Sequence, residues 1–195
     1  MKKAVGLYFG TFNPFHIGHL IIANHLAQFT DLDEIWLVVT PQSPFKKSTN
    51  LLDNHHRLEM VYQAVEAYDY LKPCDIEFKM PQPNYTALTL AELSDQYPNR
   101  DFSIIMGEDN LNHFHKWKNW EYIIDHHSIY VCPRLSKDSI PEQFKNHPKI
   151  VMTNTPVIEI SSTLIRSSIK EDKVVEPLLP AKVWQYIDEM NFYRT

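Results

Sequence analysis

Glycine is nearly missing from this chain: four in 195 residues, where average usage of about 7% would give roughly fourteen. A chain so poor in glycine keeps it where backbone must approach something closely. Three of the four, Gly10, Gly18 and Gly107, fall at the ends of expected strands or at a helix start. Cysteine is equally sparse. Cys74 and Cys132 are far apart and lack metal or redox spacing, so they read as reduced thiols of a cytosolic protein. Positive charge is in deficit, with 19 Lys and Arg against 24 Asp and Glu and a net charge of −5. That argues against a general nucleic-acid binder, which needs a broad basic surface. Any anion site must therefore be local. No apolar run approaches the ~18 residues that mark a membrane span. The apolar run after Lys2 and Lys3 is short and leads straight into a motif, so no signal peptide is expected and a cytoplasmic location is. Repeats, low-complexity tracts and long linkers are missing too, so residues 1–195 should form one domain. What remains is 44% hydrophobic and 12% aromatic residues, enough for a sizeable core.

Short apolar runs alternate with helical patterns. Expected strands are Ala4–Phe9, Ile35–Thr40, Asp75–Met80, Phe102–Gly107, Ser128–Pro133 and Lys149–Thr153. Expected helices are Ile17–Phe29, Asn54–Tyr70, Ala87–Gln96, Trp117–Asp125, Ser162–Ile169 and Pro180–Met190. The alternation predicts an α/β fold, a Rossmann-like doubly wound and mainly parallel sheet, with residues from about 160 to 195 as a small C-terminal helical lobe. Ligands of such sheets bind beyond the carboxyl ends of the strands, so the strand-to-helix loops should carry the chemistry.

The first loop is "GTFNPFHIGH". Gly10 follows strand one, Gly18 opens the next helix, and His16 and His19 lie three apart on one face of its first turn. Amides at a helix start attract phosphate, and imidazole N–H groups beside them can stabilise transition-state charge. Zinc is the weaker reading, because no Cys, Glu or third His completes a set and HExxH is absent. In "TPQSPFKK", Pro41 and Pro44 stiffen a loop that presents Lys46 and Lys47 at the ligand-facing edge. Arg134, past the fifth strand, is either solvated or a similar cation. In "EISSTLIR", Ser161, Ser162 and Thr163 cap a helix with Arg166 one turn on, a possible triphosphate clamp. Gly107 ends a strand, and Asp109 after it suits a ribose, a hydrated magnesium ion or a helix cap. Trp117 and Trp120 serve as core, or one indole stacks on a planar ring. Tyr85, Thr86 and Thr89 start a helix with mixed capping and ligand-contact potential.

Together these residues resemble the nucleotidyltransferase superfamily that includes class I aminoacyl-tRNA synthetases, and more closely the bacterial nicotinate-nucleotide adenylyltransferases. The segments that carry the likeness are Gly10–His19, Pro44–Lys46, His56–Met60, Tyr85–Leu90, Gly107–Asp109, Trp117 and Ile160–Arg166, in family order across essentially the whole chain, and Leu179–Tyr193 also resembles the family's ending. Departures are Phe9 for a usual glycine, Asn13 for aspartate and Phe45 for histidine. The resemblance implies transfer of AMP from ATP, with magnesium, to nicotinate mononucleotide, and a homodimer. It implies His16, His19, Lys46 and Arg166 as catalytic residues. The ATP set would be Gly10, Thr11, Phe12, His16, His19, Gly107, Asp109, Ser161, Ser162, Thr163 and Arg166. The mononucleotide set would be Asn13, Lys46, Tyr85, Thr86, Trp117 and Arg134, with no resident metal. Rival readings are another phosphate acceptor, such as nicotinamide mononucleotide or pantetheine phosphate, and a nucleotide-sensing module without turnover.

Overall fold

The computed structural model describes residues 2–41, 51–135 and 140–194. Six parallel strands form the sheet: β1 (Lys3–Gly10), β2 (Glu34–Val39), β3 (Leu71–Cys74), β4 (Arg100–Gly107), β5 (Ile129–Cys132) and β6 (Ile150–Met152). Their order is β3-β2-β1-β4-β5-β6, the doubly wound arrangement whose direction reverses between β1 and β4. Helices α1 (Ile17–Phe29), α2 (Asn54–Val65), α3 (Thr86–Gln96), α4 (Glu108–Leu111), α5 (Trp120–His126), α6 (Glu142–Lys145), α7 (Ser162–Lys170) and α8 (Ala181–Glu189) complete it.

Alternation along each strand builds two cores, because successive side chains point to opposite faces. On β2, Ile35, Leu37 and Val39 join Ile22, Leu26, Met60 and Val61 from α1 and α2. Trp36 and Val38 face the other way, with Leu90 and Leu93 of α3 and Ile123 of α5. Ile165 and Ile169 of α7 and Val183 and Ile187 of α8 enter the first of these cores. The C-terminal helices thus share the core of α1 and α2.

Three expected elements need correction. The third strand is Leu71–Cys74, and Ile76–Lys79 of the expected strand is a 3₁₀ turn. The strand holds Pro73, and β3 is an edge, where a missing N–H is tolerated. The turn still buries Ile76 and holds itself with Phe78 N–H on Asp75 O at 2.9 Å. Helix α2 stops at Val65, short of Tyr70, because the chain must reverse before pairing: Tyr68 N–H binds Val65 O and Leu71 N–H binds Tyr68 O. Helix α5 begins at Trp120, preceded by Asn119 with φ 57°, so Trp117 lies in the turn before it.

Candidate active site

β1 and β4 lie side by side, with Tyr8 opposite Ile105, two residues before Gly10 and Gly107 respectively. Neither glycine has positive φ; the requirement at both is space. A Cβ on Gly10 would stand 2.7 Å from the Phe12 ring. One on Gly107 would fall on Asp109 Oδ1 and come within 3.0 Å of Arg134 Nε.

Beyond Gly10 the chain turns through Phe12, whose φ of 46° drives its ring inward. There it meets His19 edge-on at 5.1 Å, while Phe15 and Tyr8 approach the same imidazole at 5.3 and 6.0 Å. His16, the N-cap of α1, stacks on His19 with centroids 3.6 Å apart and planes 21° from parallel. The His16 backbone N–H donates to His19 Nδ1 at 3.2 Å. An accepting Nδ1 places the proton of neutral His19 on Nε2. Burial, then the Arg134 charge, lowers the His16 pKa to about 4. Burial, then His16, then Arg134 hold His19 well below the usual histidine value. At neutral pH both rings are therefore uncharged hydrogen-bond donors held rigid by packing. His16 Nδ1 is buried with no partner among the described residues.

Helix α7 approaches this loop from the other end of the chain. Ser161 caps it by accepting Leu164 N–H at 3.1 Å. Ser162 Oγ donates to Pro14 O at 2.9 Å, and Arg166 Nη1 donates to Asn13 O at 2.7 Å. Arg166 Nη2 also reaches Thr163 Oγ1 at 3.4 Å. The Ser162 hydroxyl is thus committed to the first loop. The backbone amides at the start of α7 are the donors such a helix offers to an anion. A cleft of about 490 Å³ lies between the two segments, lined by Tyr8, Thr11, Asn13, His16, Gly18, His19, Asp109, Arg134, Ser161, Ser162, Thr163 and Arg166, with Ile22, Leu51, Ile158 and Ile160. Arg134 joins it from the end of β5, its Nε 3.8 Å from Asp109 Oδ1 and its backbone N–H on Glu108 Oε2 at 2.9 Å. Arg134 lines the cleft and is exposed to solvent as well.

Lys46 and Lys47 lie outside the described residues. The Phe12 ring is buried under His19, so only its backbone can face a nucleotide. Tyr85, Thr86 and Trp117 do not line the cleft. Tyr85 and Thr86 stand at the start of α3, where Lys118 Nζ lies 4.5 Å over the Tyr85 ring, and Trp117 packs edge-on against Phe114 at 5.5 Å.

Two residues were not expected at the site. Arg57, fully buried on α2, donates to Thr11 O at 2.6 Å, Thr40 O at 2.8 Å, Pro41 O at 3.0 Å, Leu52 O at 2.9 Å and Asn54 Oδ1 at 2.5 Å. It ties the loop after β1 to the loop after β2. In sequence it stood only inside the His56–Met60 segment. Tyr193 reaches Asn13 from the turn after α8; in sequence it stood only at the end of the Leu179–Tyr193 segment that resembles the family's ending.

A family model described as cytidylyltransferase-like matches residues 7–168. A protein of Christiangramia forsetii named "probable nicotinate-nucleotide adenylyltransferase" is 62% identical over 194 residues, covering 100% of both chains. One of the same name from Bacteroides thetaiotaomicron is 40% identical over 192 residues, covering 96% of this chain and 92% of its own. The fold is similar to that of Plasmodium falciparum nicotinic acid mononucleotide adenylyltransferase complexed with NaAD. The TM-score is 0.79 at 21% identity, over 98% of this chain and 97% of that one. By sequence across its whole length, and with a fold to match, this chain belongs to the nicotinate-nucleotide adenylyltransferases, nucleotidyltransferases of the cytidylyltransferase-like family.

Proposed function

We propose that the chain transfers AMP from ATP to nicotinate mononucleotide, giving deamido-NAD and pyrophosphate, as a single-domain cytoplasmic enzyme. The observation that carries this reading is the shared cleft, in which the His16–His19 pair and the start of α7 face one volume. A phosphate oxygen of the mononucleotide attacks the α-phosphorus of ATP in line. The bond from that phosphorus to the bridging oxygen breaks, and its electron pair leaves with pyrophosphate. A phosphate monoester is already a competent nucleophile, so positioning and charge stabilisation do the catalysis. His19, with its proton on Nε2, suits the α-phosphate. The amides opening α7, with Arg166 and Lys46, suit the β- and γ-phosphates. Gly107 and Asp109 suit the adenosine side. Thr86 and Trp117 suit the nicotinate ring and its carboxylate.

Magnesium fits as part of the substrate. Among the described residues no group of three or more His, Cys, Asp or Glu could hold a metal ion. Asp109 is the one carboxylate among the cleft's described lining residues, and Arg134 is its neighbour. Such a donor set suits an ion carried on ATP oxygens, which keeps most of its own waters.

The test is pyrophosphate release from MgATP with nicotinate mononucleotide, nicotinamide mononucleotide, pantetheine phosphate and glycerol phosphate in turn. Turnover should be fastest with the acid mononucleotide. A preference for the amide or for a non-pyridine acceptor overturns the choice of substrate. ATP binding with no release for any acceptor favours the sensing module.

A further inference from the structure

Asn13 lies in the loop between β1 and α1 and is almost fully buried, at 1% exposure. Its backbone oxygen accepts Arg166 Nη1 at 2.7 Å. Its side-chain Oδ1 accepts two further donors, Leu52 N–H at 3.3 Å and Tyr193 OH at 2.7 Å. Three segments distant in sequence therefore converge on one amide residue: α7, the approach to α2, and the turn after α8. The Tyr193 backbone is left-handed, φ 66°, in that turn. Phe192 before it packs against His56 at 4.8 Å and Tyr186 at 5.8 Å. The turn is thus anchored independently of the hydroxyl.

We propose that Tyr193 is a positioning residue for ATP: its hydroxyl fixes Asn13, and through Asn13 it fixes the Arg166 guanidinium and the loop that carries His16. This rests on the proposed ATP role of the cleft. The geometry explains why the effect should be selective. Asn13 lines the cleft and touches the α7 side directly, so it is read here with ATP and not, as the resemblance implied, with the mononucleotide, whereas Tyr85, Thr86 and Trp117 do not line that cleft. Burial raises the Tyr193 pKa, against the opposing pull of Arg166 and Arg57, so the hydroxyl stays a donor at all working pH values.

The test is Tyr193→Phe, which keeps the ring and removes one hydrogen bond. Losing such a bond should weaken MgATP binding about three- to tenfold, read by calorimetry without an acceptor and again as KM for ATP. KM for the pyridine mononucleotide should stay close to that of the unaltered protein, and the thermal midpoint should fall by no more than a few degrees, the scale of one lost hydrogen bond. Because Tyr193 acts through Asn13, Tyr193→Phe should add little further loss in an Asn13→Ala background. Unchanged ATP affinity overturns the inference. So does an equal loss for both substrates, a lowered melting point with affinity intact, or full additivity with Asn13→Ala. If the unaltered protein binds MgATP but turns over no acceptor, the substrate reading fails while the calorimetric comparison still decides the role of Tyr193.

Discussion

Arg57 Nη1 donates to the carbonyl oxygen of Thr11 at 2.6 Å, from a side chain with no exposure to solvent. One guanidinium thereby satisfies carbonyls that the crossing of two strand-to-helix loops would otherwise leave orphaned. Burial, the largest influence, lowers its pKa only to about 10, so it stays cationic at neutral pH. The planar fork suits several acceptors at fixed angles in a way a lysine cannot.

Replacing Arg57 by Met should therefore cost about 1–3 kcal/mol for each carbonyl left buried without a donor, as for other unsatisfied polar groups. Urea unfolding would measure it, as a shifted midpoint with little change in slope. A loss below about 1 kcal/mol, the scale of an exposed pair, would show that the loops hold themselves.

His19→Ala should reduce turnover about 10²–10³-fold, the scale for removing one preorganised donor. Single-turnover pyrophosphate release isolates this from binding. Unchanged release would remove His19 from the chemistry.

His16 makes stability depend on pH. The unfolded ring takes up a proton as pH falls through about 6.5, whereas the folded ring resists until about 4. The unfolded chain binds more protons in that interval, so this contribution is complete above the higher value and declines toward the lower. His16→Gln should flatten the decline in urea midpoint between those two pH values. Parallel profiles for the two proteins would contradict the burial argument.

Gly10→Ala places a methyl 2.7 Å from the Phe12 ring that supports His19. Overpacking of this kind costs roughly 1–3 kcal/mol, and the displaced ring should lower kcat more than it raises KM for either substrate. Full activity with native stability would mean that the Phe12 ring moves without disturbing His19.

Trp117→Ala should raise KM for the pyridine mononucleotide about threefold to tenfold, the loss of one ring contact, and leave KM for ATP near its starting value. Steady-state kinetics with each substrate varied would separate the two. Equal effects on both would make Trp117 a core residue, as its contact with Phe114 allows.

Much of this was legible along the chain. The alternation of short apolar runs with helical patterns predicted the doubly wound sheet, and the loop after the first run placed His16 and His19 on one face of a helix start, because periodicity and loop position are local properties. Where local signals conflicted with tertiary demands, they failed. The expected third strand at Asp75–Met80 gave way to an edge strand at Leu71–Cys74, where Pro73 is tolerated, and Ile76–Lys79 became a 3₁₀ turn. The cleft-facing placement of Arg134, the commitment of Ser162 to Pro14, and the convergence of Arg57 and Tyr193 on the first loop are contacts across long stretches of chain. No periodicity encodes them. They exist because buried carbonyls and amides must find partners wherever the folded sheet happens to bring donors within reach.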